Sequence, residues 1–407
     1  MRFDTVIIGG GLAGLVAGIS LQQAGRSTAI VSTGQNALHF FSGSFESMKE
    51  APERLTALFA GAGIRVHYNP GVRLTPLGTF REAELSLEDI SLFPEAKFAD
   101  KALLACVPGY LDFFPAFLAE GLEKQGIQCR LCSLDLPEEL QDGSVERRSV
   151  QLARLVDRDW KKIVQQIRLM IQDEDAVILP QLFGLQDASV PERLRQEIPA
   201  RVVFAGTMPP SIPGIRTQRL LKRRYEVLGG TYLGGDEAVE AQVEGNKILS
   251  VRTHNLEAHA LEASHFILAS GGFFSKGLRS NPFRVWEPVF GVDVDFDEDR
   301  NAWYNEEFAG DQPYMQYGVK TDAALHPLVD GQPRGNLYAI GSVLGGTRPE
   351  FGTGAGLAIR TAFLAVDEIL RRYAPQDDRK DCHDDRKDCH GDRKDCHSER
   401  SEESKRV

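Results

Sequence analysis

The sequence predicts an α/β fold: a discontinuous parallel-sheet domain with a βαβ opening, an inserted α+β domain, and a disordered C-terminal tail. Three observations predict it. An apolar strand, a glycine-rich turn, an apolar helix and a second strand follow one another at the N-terminus, within the roughly thirty residues of a βαβ unit. Two further apolar strands run into glycines far along the chain. The stretches between have mixed helical and strand patterns with more prolines, as insertions do.

In order, the elements read as a strand at Asp4–Ile8, a helix from about Leu12 to Ala24 and a strand at Ser27–Val31. Strand-like runs follow at Val239–Val243, Lys247–Thr253 and His265–Ser270, separated by turn residues such as Glu244-Gly245-Asn246. A short strand at Asn336–Ile340 enters Gly341, and a helix at Leu357–Arg371 closes the body. The sheet domain is therefore assigned to 1–79 with 226–280 and 331–376, the inserted cap or substrate domain to 80–225 with 281–330, and the tail to 377–407. In the tail DDRKDCH at 377–383 recurs at 384–390 and, as GDRKDCH, at 391–397. Its heptad has no apolar seam, which excludes a coiled coil. So polar a segment buries too little surface to offset its ordering entropy.

Charge and cysteine usage exclude several classes. The 407 residues carry a formal charge of −11, and removing the tail leaves −9, so the fold itself is acidic. That argues against nucleic acid and anionic lipid as general partners. Outside the tail only Cys106, Cys129 and Cys132 remain, a set that fits a reducing cytoplasm and rules out a disulfide framework. The uncharged run Thr5–Gly25 follows Asp4 instead of a basic segment and contains glycines, unlike a signal peptide. Pro108, Asp112 and Pro115 interrupt the apolar stretch from Ala102 to Ala119, so no direct membrane span is expected.

The chemistry lies in the glycines. Gly9, Gly11 and Gly14 form GxGxxG directly between strand and helix. The first glycine permits a tight turn, the second lets a pyrophosphate approach the backbone, and the third allows close helix–strand packing, in a Rossmann-like unit. The helix N-terminus then offers N–H groups and a positive dipole end to phosphate oxygens. The second strand ends in Ser32-Thr33-Gly34, without the acid that normally binds the adenosine ribose. Phe40-Phe41-Ser42-Gly43-Ser44 is a small-residue loop suited to wrapping a cofactor. Ile267–Gly272 ends in the pair Gly271-Gly272, Leu337–Ser342 ends in Gly341-Ser342, and Gly352, Gly354 and Gly356 precede the last helix. Three strand-to-glycine junctions in this order favour a flavin over a nicotinamide. The expected cofactor contacts are Gly9, Gly11, Gly14, Ser42, Gly43, Ser44, Gly271, Gly272, Gly341 and Ser342.

This order resembles the glutathione-reductase-like and fumarate-reductase-like flavoproteins. More narrowly, MRFDTVIIGGGLAGLVAGISLQQAG at the start, ALHFFSGSFE at 37–46, RLTPLGTFR at 73–81, TMPPSIPGIRTQ at 207–218, ILASGGFFSKGL at 267–278, EPVFGVDV at 287–294 and NLYAIGSVLGG at 336–346 resemble the B-subunit family of anaerobic glycerol-3-phosphate dehydrogenase. The similarity runs from Met1 to about Arg372, while the tail has no counterpart and the region after Glu46 is shortened. The resemblance implies a protein that oxidises sn-glycerol 3-phosphate to dihydroxyacetone phosphate and passes electrons to quinone. It also implies FMN, with FAD the alternative, and two partner subunits of the same complex: a larger one containing FAD, and a membrane-associated iron–sulfur one. The location implied is cytoplasmic, peripheral to the inner membrane through those partners. A free-standing FAD-dependent oxidoreductase and an electron-relay or assembly subunit remain as rivals.

For catalysis, His39 beside the presumed flavin loop is the first candidate acid or base, with a packing role the alternative. His326, before Pro327, reads as structural. Arg216, Arg219, Arg223 and Arg224 crowd one short helix, and Arg216 is the candidate for a substrate phosphate, since a guanidinium fork suits a phosphate dianion. No metal site is expected. Cys129-Arg130-Leu131-Cys132 is too sparse for an iron–sulfur cluster, and the Cys-His pairs of the tail lack a packed scaffold.

Overall fold

In the computed structural model the βαβ opening forms where the sequence places it, from β1 (Arg2–Ile8) through α1 (Leu12–Gln23) to β2 (Thr28–Ser32). The structure describes residues 1–34, 36–46, 48, 52–135, 148–256, 259–307, 310–347 and 354–373. The expectations for Gly352 and the 377–407 tail lie outside them. Val6, Ile7 and the residues Ala29 to Val31 are almost wholly buried, the near-continuous apolar run of strands covered on both faces.

Two antiparallel pairings follow along the chain. The short β3 (Ser44–Phe45) and the strand β4 (Val66–Leu74) flank β5 (Phe80–Leu87), with α2 (Pro52–Gly61) between β3 and β4. The expected boundary at 79/80 thus falls inside the β4–β5 hairpin. The insertion then builds a parallel sheet of its own from β6 (Lys101–Cys106), β7 (Gln128–Ser133), β8 (Ala176–Pro180) and β9 (Arg201–Ala205), in the order β7-β6-β8-β9. Helices α3 (Pro115–Glu123), α4 (Ser149–Arg158), α5 (Trp160–Met170) and α6 (Val190–Glu197) connect these strands. Leu103, Leu104, Val177, Ile178 and Leu179 fill a core beneath them, each worth about 1.5–3 kcal/mol when fully covered.

The chain returns through α7 (Ile212–Val227) and β10 (Thr231–Gly234) to the first sheet. Ser211 caps α7, its hydroxyl accepting from the Gly214 N–H at 3.1 Å. Strands β11 (Ala238–Glu244), β12 (Lys247–Thr253) and β13 (Leu261–Leu268) follow. Six two-residue strands come next: β14 (Arg279–Ser280) with β15 (Val285–Trp286), β16 (Val294–Asp295) with β17 (Gly318–Val319), and β18 (Leu328–Val329) with β19 (Gln332–Pro333). Finally β20 (Leu337–Ala339) leads to α8 (Gly354–Tyr373).

The first sheet has the order β10-β2-β1-β13-β12-β11, with β20 also on β13. Strands β1, β2, β10, β13 and β20 are mutually parallel. One flank of β13 is shared: antiparallel β12 meets it at Leu261 and Glu262, and parallel β20 meets it from Phe266 to Leu268. Residues Met1–Val366 form one packed unit, within which α8 buries Ile359, Ala362, Phe363 and Val366. The end of α8 belongs to a second unit, where Arg371 pairs with Glu368 at 2.7 Å.

Candidate functional site

The site starts where β1 turns into α1. Gly9 has φ +119°, a left-handed conformation that disfavours side chains, and a Cβ there would lie 2.1 Å from the Ala269 carbonyl oxygen. A Cβ on Gly14 would lie 2.0 Å from the Gly9 carbonyl oxygen. The protein's own backbone therefore requires both. Gly11 differs: no atom stands within 4 Å of where its Cβ would be, so its face is open. It is the N-cap of α1 and has no side-chain cap. The first intrahelical bond runs from the Leu15 N–H to the Gly11 carbonyl, leaving the N–H groups before it for a ligand. Open space over glycine, beside unpaired N–H groups at a positive helix end, fits a flavin phosphate.

The other junctions converge on this turn. Gly341, at φ +73°, would bring a Cβ to 3.1 Å from the Ala13 methyl, and its N–H donates to the Thr361 hydroxyl at 2.9 Å. Ser342 lies against the glycine pair, its Oγ 3.5 Å from a Gly271 Cβ and its carbonyl oxygen 3.3 Å from a Gly272 Cβ. Asn36 donates from Nδ2 to the Gly10 carbonyl at 3.1 Å, and the Phe40 ring meets Phe274 edge-on at 4.5 Å. Gly9, Gly14, Gly271, Gly272, Gly341 and Ser342 are thus gathered around the start of α1. Ser42, Gly43 and Ser44 have their described contacts elsewhere. Ser42 and Ser44 share a hydrogen bond of 3.0 Å, and the Gly43 carbonyl accepts from the Leu87 N–H at the β5 end.

At the end of β2, where the acid is missing, Ser32 and Tyr232 crowd Gly10. Ser32 is buried, and the Tyr232 hydroxyl would stand 2.3 Å from a Cβ on Gly10. Burial pushes the Tyr232 phenol up, against hydrogen bonds with Ser32 and Gln218. The ammonium of Lys222 sits 4.4 Å from the centre of the same ring.

The two catalytic candidates are placed differently from each other. His39 is half-buried and lines a cavity of about 230 Å³ with Val150, Pro209, Pro210 and Ile215, while its carbonyl accepts from the Ser211 N–H at 2.7 Å. Arg216 is tied up. Its Nη2 reaches both Asp89 oxygens at 2.7 Å, and Nη1 points to the Gly184 carbonyl at 3.3 Å. With the side chains 12% and 9% exposed, this is a buried structural ion pair joining α7 to the loop after β5. Arg216, the candidate for a substrate phosphate, thus spends its Nη2 donors on Asp89 in this structure. The CxxC thiols are not activated: burial raises Cys129 to about 11 and Cys132 in the same direction. Among the described residues no cluster of three or more metal-binding side chains occurs.

Sequence reasoning missed a buried charge cluster at the far end of the loop that Asn36 begins. Glu46 is 9% exposed, and burial raises its carboxyl to about 7 against the pull of Arg73 and Arg81. Burial likewise pushes the Arg73 guanidinium down, with Glu46 acting against it. Glu46 Oε2 and Arg73 Nε are each buried without a hydrogen-bond partner. A Cβ on Gly356 would lie 1.8 Å from the Glu46 carbonyl oxygen, so this segment packs directly on the start of α8. The signal was present in the arginines at both ends of RLTPLGTFR.

Comparison with known proteins bears on this geometry. The family model described as an FAD binding domain matches residues 4–57 and 46–356, which include all three glycine junctions. The B subunit of anaerobic glycerol-3-phosphate dehydrogenase from Pectobacterium atrosepticum is 37% identical over 421 residues, covering 92% of this chain and 100% of its own. The chain belongs to that B-subunit family. A second member, from Glaesserella parasuis, is 34% identical and covers 91% of this chain and 100% of its own. Among solved structures, the flavin-dependent brominase Bmp2 aligns over 92% of this chain and 80% of its own at 11% identity, with a TM-score of 0.39. As a member of this family the chain is a flavoprotein of the oxidoreductase class. No helix among its described residues is long and apolar enough to cross a membrane.

Proposed function

We propose that this chain is the flavin-bearing subunit of a glycerol-3-phosphate:quinone oxidoreductase. It oxidises sn-glycerol 3-phosphate to dihydroxyacetone phosphate. Two partner subunits, a larger one containing FAD and a membrane-associated iron–sulfur one, carry the electrons onward to quinone. The observation that supports this reading is the gathering of Gly9–Gly14, Gly271–Gly272 and Gly341–Ser342 around the open face of Gly11. A bound flavin supplies a hydride acceptor that can release electrons singly, linking an alcohol to one-electron carriers. Gly11 and the first turn of α1 hold its phosphate, and the Gly271–Gly272 and Gly341–Ser342 backbones line its ring. FMN is the favoured form, because β2 ends in Ser32 beneath Tyr232 instead of a ribose-binding acid. His39 is the candidate proton acceptor, and Arg216 positions α7 through Asp89. The division into a flavin domain (1–79, 226–280, 331–376) and a cap (80–225, 281–330) belongs to this proposal, as does a peripheral place at the inner membrane through the partners.

Anaerobic mixing of the purified chain with glycerol 3-phosphate tests the reading. Bleaching of the flavin absorbance is expected. Bleaching only when the larger, FAD-containing partner is added identifies a relay protein instead. Acid release of the chromophore followed by chromatography distinguishes FMN from FAD, and bound NAD without a yellow chromophore overturns the proposal.

A further inference from the structure

Gly10 and Gly11 are neighbours with opposite surroundings. The face of Gly11 is open, whereas a Cβ on Gly10 would meet the Tyr232 hydroxyl at 2.3 Å and the Ser32 Oγ at 2.6 Å. Tyr232 on β10 is the register partner of Ile30 on β2, two residues before Ser32. Side chains two apart share a face of a sheet, so Tyr232 and Ser32 stand on the same one. The Tyr232 ring lies across Gly234, where a Cβ would come within 3.3 Å of it. Two residues of α7, one turn apart, hold the ring from above. Gln218 hydrogen-bonds its hydroxyl, and the Lys222 ammonium, 3.8 Å from Glu226, sits 4.4 Å from the ring centre. The arrangement closes on itself: the Ser32 Oγ accepts from the Gly34 N–H at 3.2 Å, and the Gly34 carbonyl accepts from Gln218 Nε2 at 3.2 Å. Buried Asn36 then ties the Gly34 carbonyl to the Gly10 carbonyl, donating to them at 3.4 and 3.1 Å.

We propose that Tyr232 is the residue that discriminates between flavins, by filling the place beside Gly10 that the adenosine half of a dinucleotide would take. A dinucleotide lays its adenosine ribose at the end of the second strand, next to the glycine turn, on a carboxylate. Here that end is occupied by groups that already satisfy one another. Admitting a ribose would require the Tyr232 ring to swing off Gly234 and give up its hydrogen bonds with Ser32 and Gln218. Ser32 offers a hydroxyl, already engaged by Gly34, and no carboxylate to offset that loss. The phosphate that ends a mononucleotide needs only the open face of Gly11. This inference rests on the flavin site proposed above and names what limits the size of its ligand.

Calorimetric titration of the flavin-free full chain with FMN and with FAD, in the parent and in Tyr232→Ala, tests the assignment. The parent is expected to bind FMN tighter than FAD by about tenfold or more. Tyr232→Ala is expected to tighten FAD by about tenfold while leaving FMN within about threefold of the parent. An unchanged ratio of the two affinities in Tyr232→Ala overturns the role of Tyr232, whichever flavin the parent prefers. A ratio that changes only because FMN weakens overturns it too, since that reports a damaged cradle. If Tyr232→Ala does not fold, Tyr232→Leu, which keeps an apolar side chain on β10, is read in the same way. The preference for FMN is judged separately, on the parent alone. A parent that binds FAD as tightly as FMN removes that preference, and a gain of FAD affinity in Tyr232→Ala would still keep Tyr232 as the obstacle. A parent that prefers FMN, with the same ratio in Tyr232→Ala, keeps the preference and removes Tyr232 as its cause.

Discussion

Replacing Gly11 and Gly14 by alanine, one at a time, separates ligand chemistry from packing. At Gly14 the new methyl would sit 2.0 Å from the Gly9 carbonyl oxygen, a backbone atom, so helix and strand must part. Overpacking of this kind costs about 1–3 kcal/mol. At Gly11 the methyl meets open space, and φ −78° suits alanine. Losing glycine at an N-cap costs several tenths of a kcal/mol. The stiffer unfolded chain returns about 0.4–1 kcal/mol. The fold of Gly11→Ala should therefore keep its stability to within about 1 kcal/mol. Its flavin should not survive so well, because the methyl stands where phosphate oxygens must reach the N–H groups. Two charge-assisted hydrogen bonds lost at about 1.5 kcal/mol each amount to about 3 kcal/mol, roughly a hundredfold in affinity. Urea titration of the flavin-free proteins reads the first quantity, and flavin retained after gel filtration reads the second. A Gly11→Ala protein that keeps its full flavin complement would refute the assignment of that open face to phosphate. A Gly14→Ala protein as stable as the parent would refute the packing account.

Three other outcomes are expected. The Glu46 carboxyl is raised from 4.5 to about 7, so the folded protein holds a proton that the unfolded chain releases, and this contribution is lost as pH rises through that interval. Glu46→Gln should therefore match the parent in urea stability near pH 4.5 and exceed it at pH 8 by an amount on the order of 3 kcal/mol; equal stability at both values would contradict the buried-acid account. Arg216→Ala leaves Asp89 buried and unpaired and should cost about 3–5 kcal/mol in urea unfolding, whereas a loss under 1 kcal/mol would mean the pair is not structural. Deleting residues 377–407 should leave the flavin-to-protein absorbance ratio unchanged.

The βαβ opening was legible because its signals are local. An apolar run, glycines at fixed offsets and a helical period need only neighbouring residues, and the strand at 247–253 was likewise placed to the residue. The parallel sheet of the insertion was hidden because its strands are short and close to prolines. Ala102–Ala119 reads as one interrupted apolar stretch, yet it divides into β6 and the start of α3. Arg216 shows a different limit. Its helix and its charge were visible, but its partner Asp89 is distant in sequence and no spacing rule links them. Glu46 follows β3 while Arg73 and Arg81 lie on β4 and β5, so only the folded pairing brings one buried acid near two bases.

The sharing of β13 has a temporal consequence. β1 begins at Arg2, whereas β20, which completes the parallel flank and delivers Gly341 to the first turn of α1, begins at Leu337. During synthesis the nascent polypeptide can fold the insertion's own sheet early, while the cradle waits for its last wall to leave the ribosome. Such sequence-distant pairing is slow to form. A cradle that needs Gly341 beside Ala13 cannot close on a shorter nascent polypeptide, so chains stalled before Leu337 are expected to be colourless.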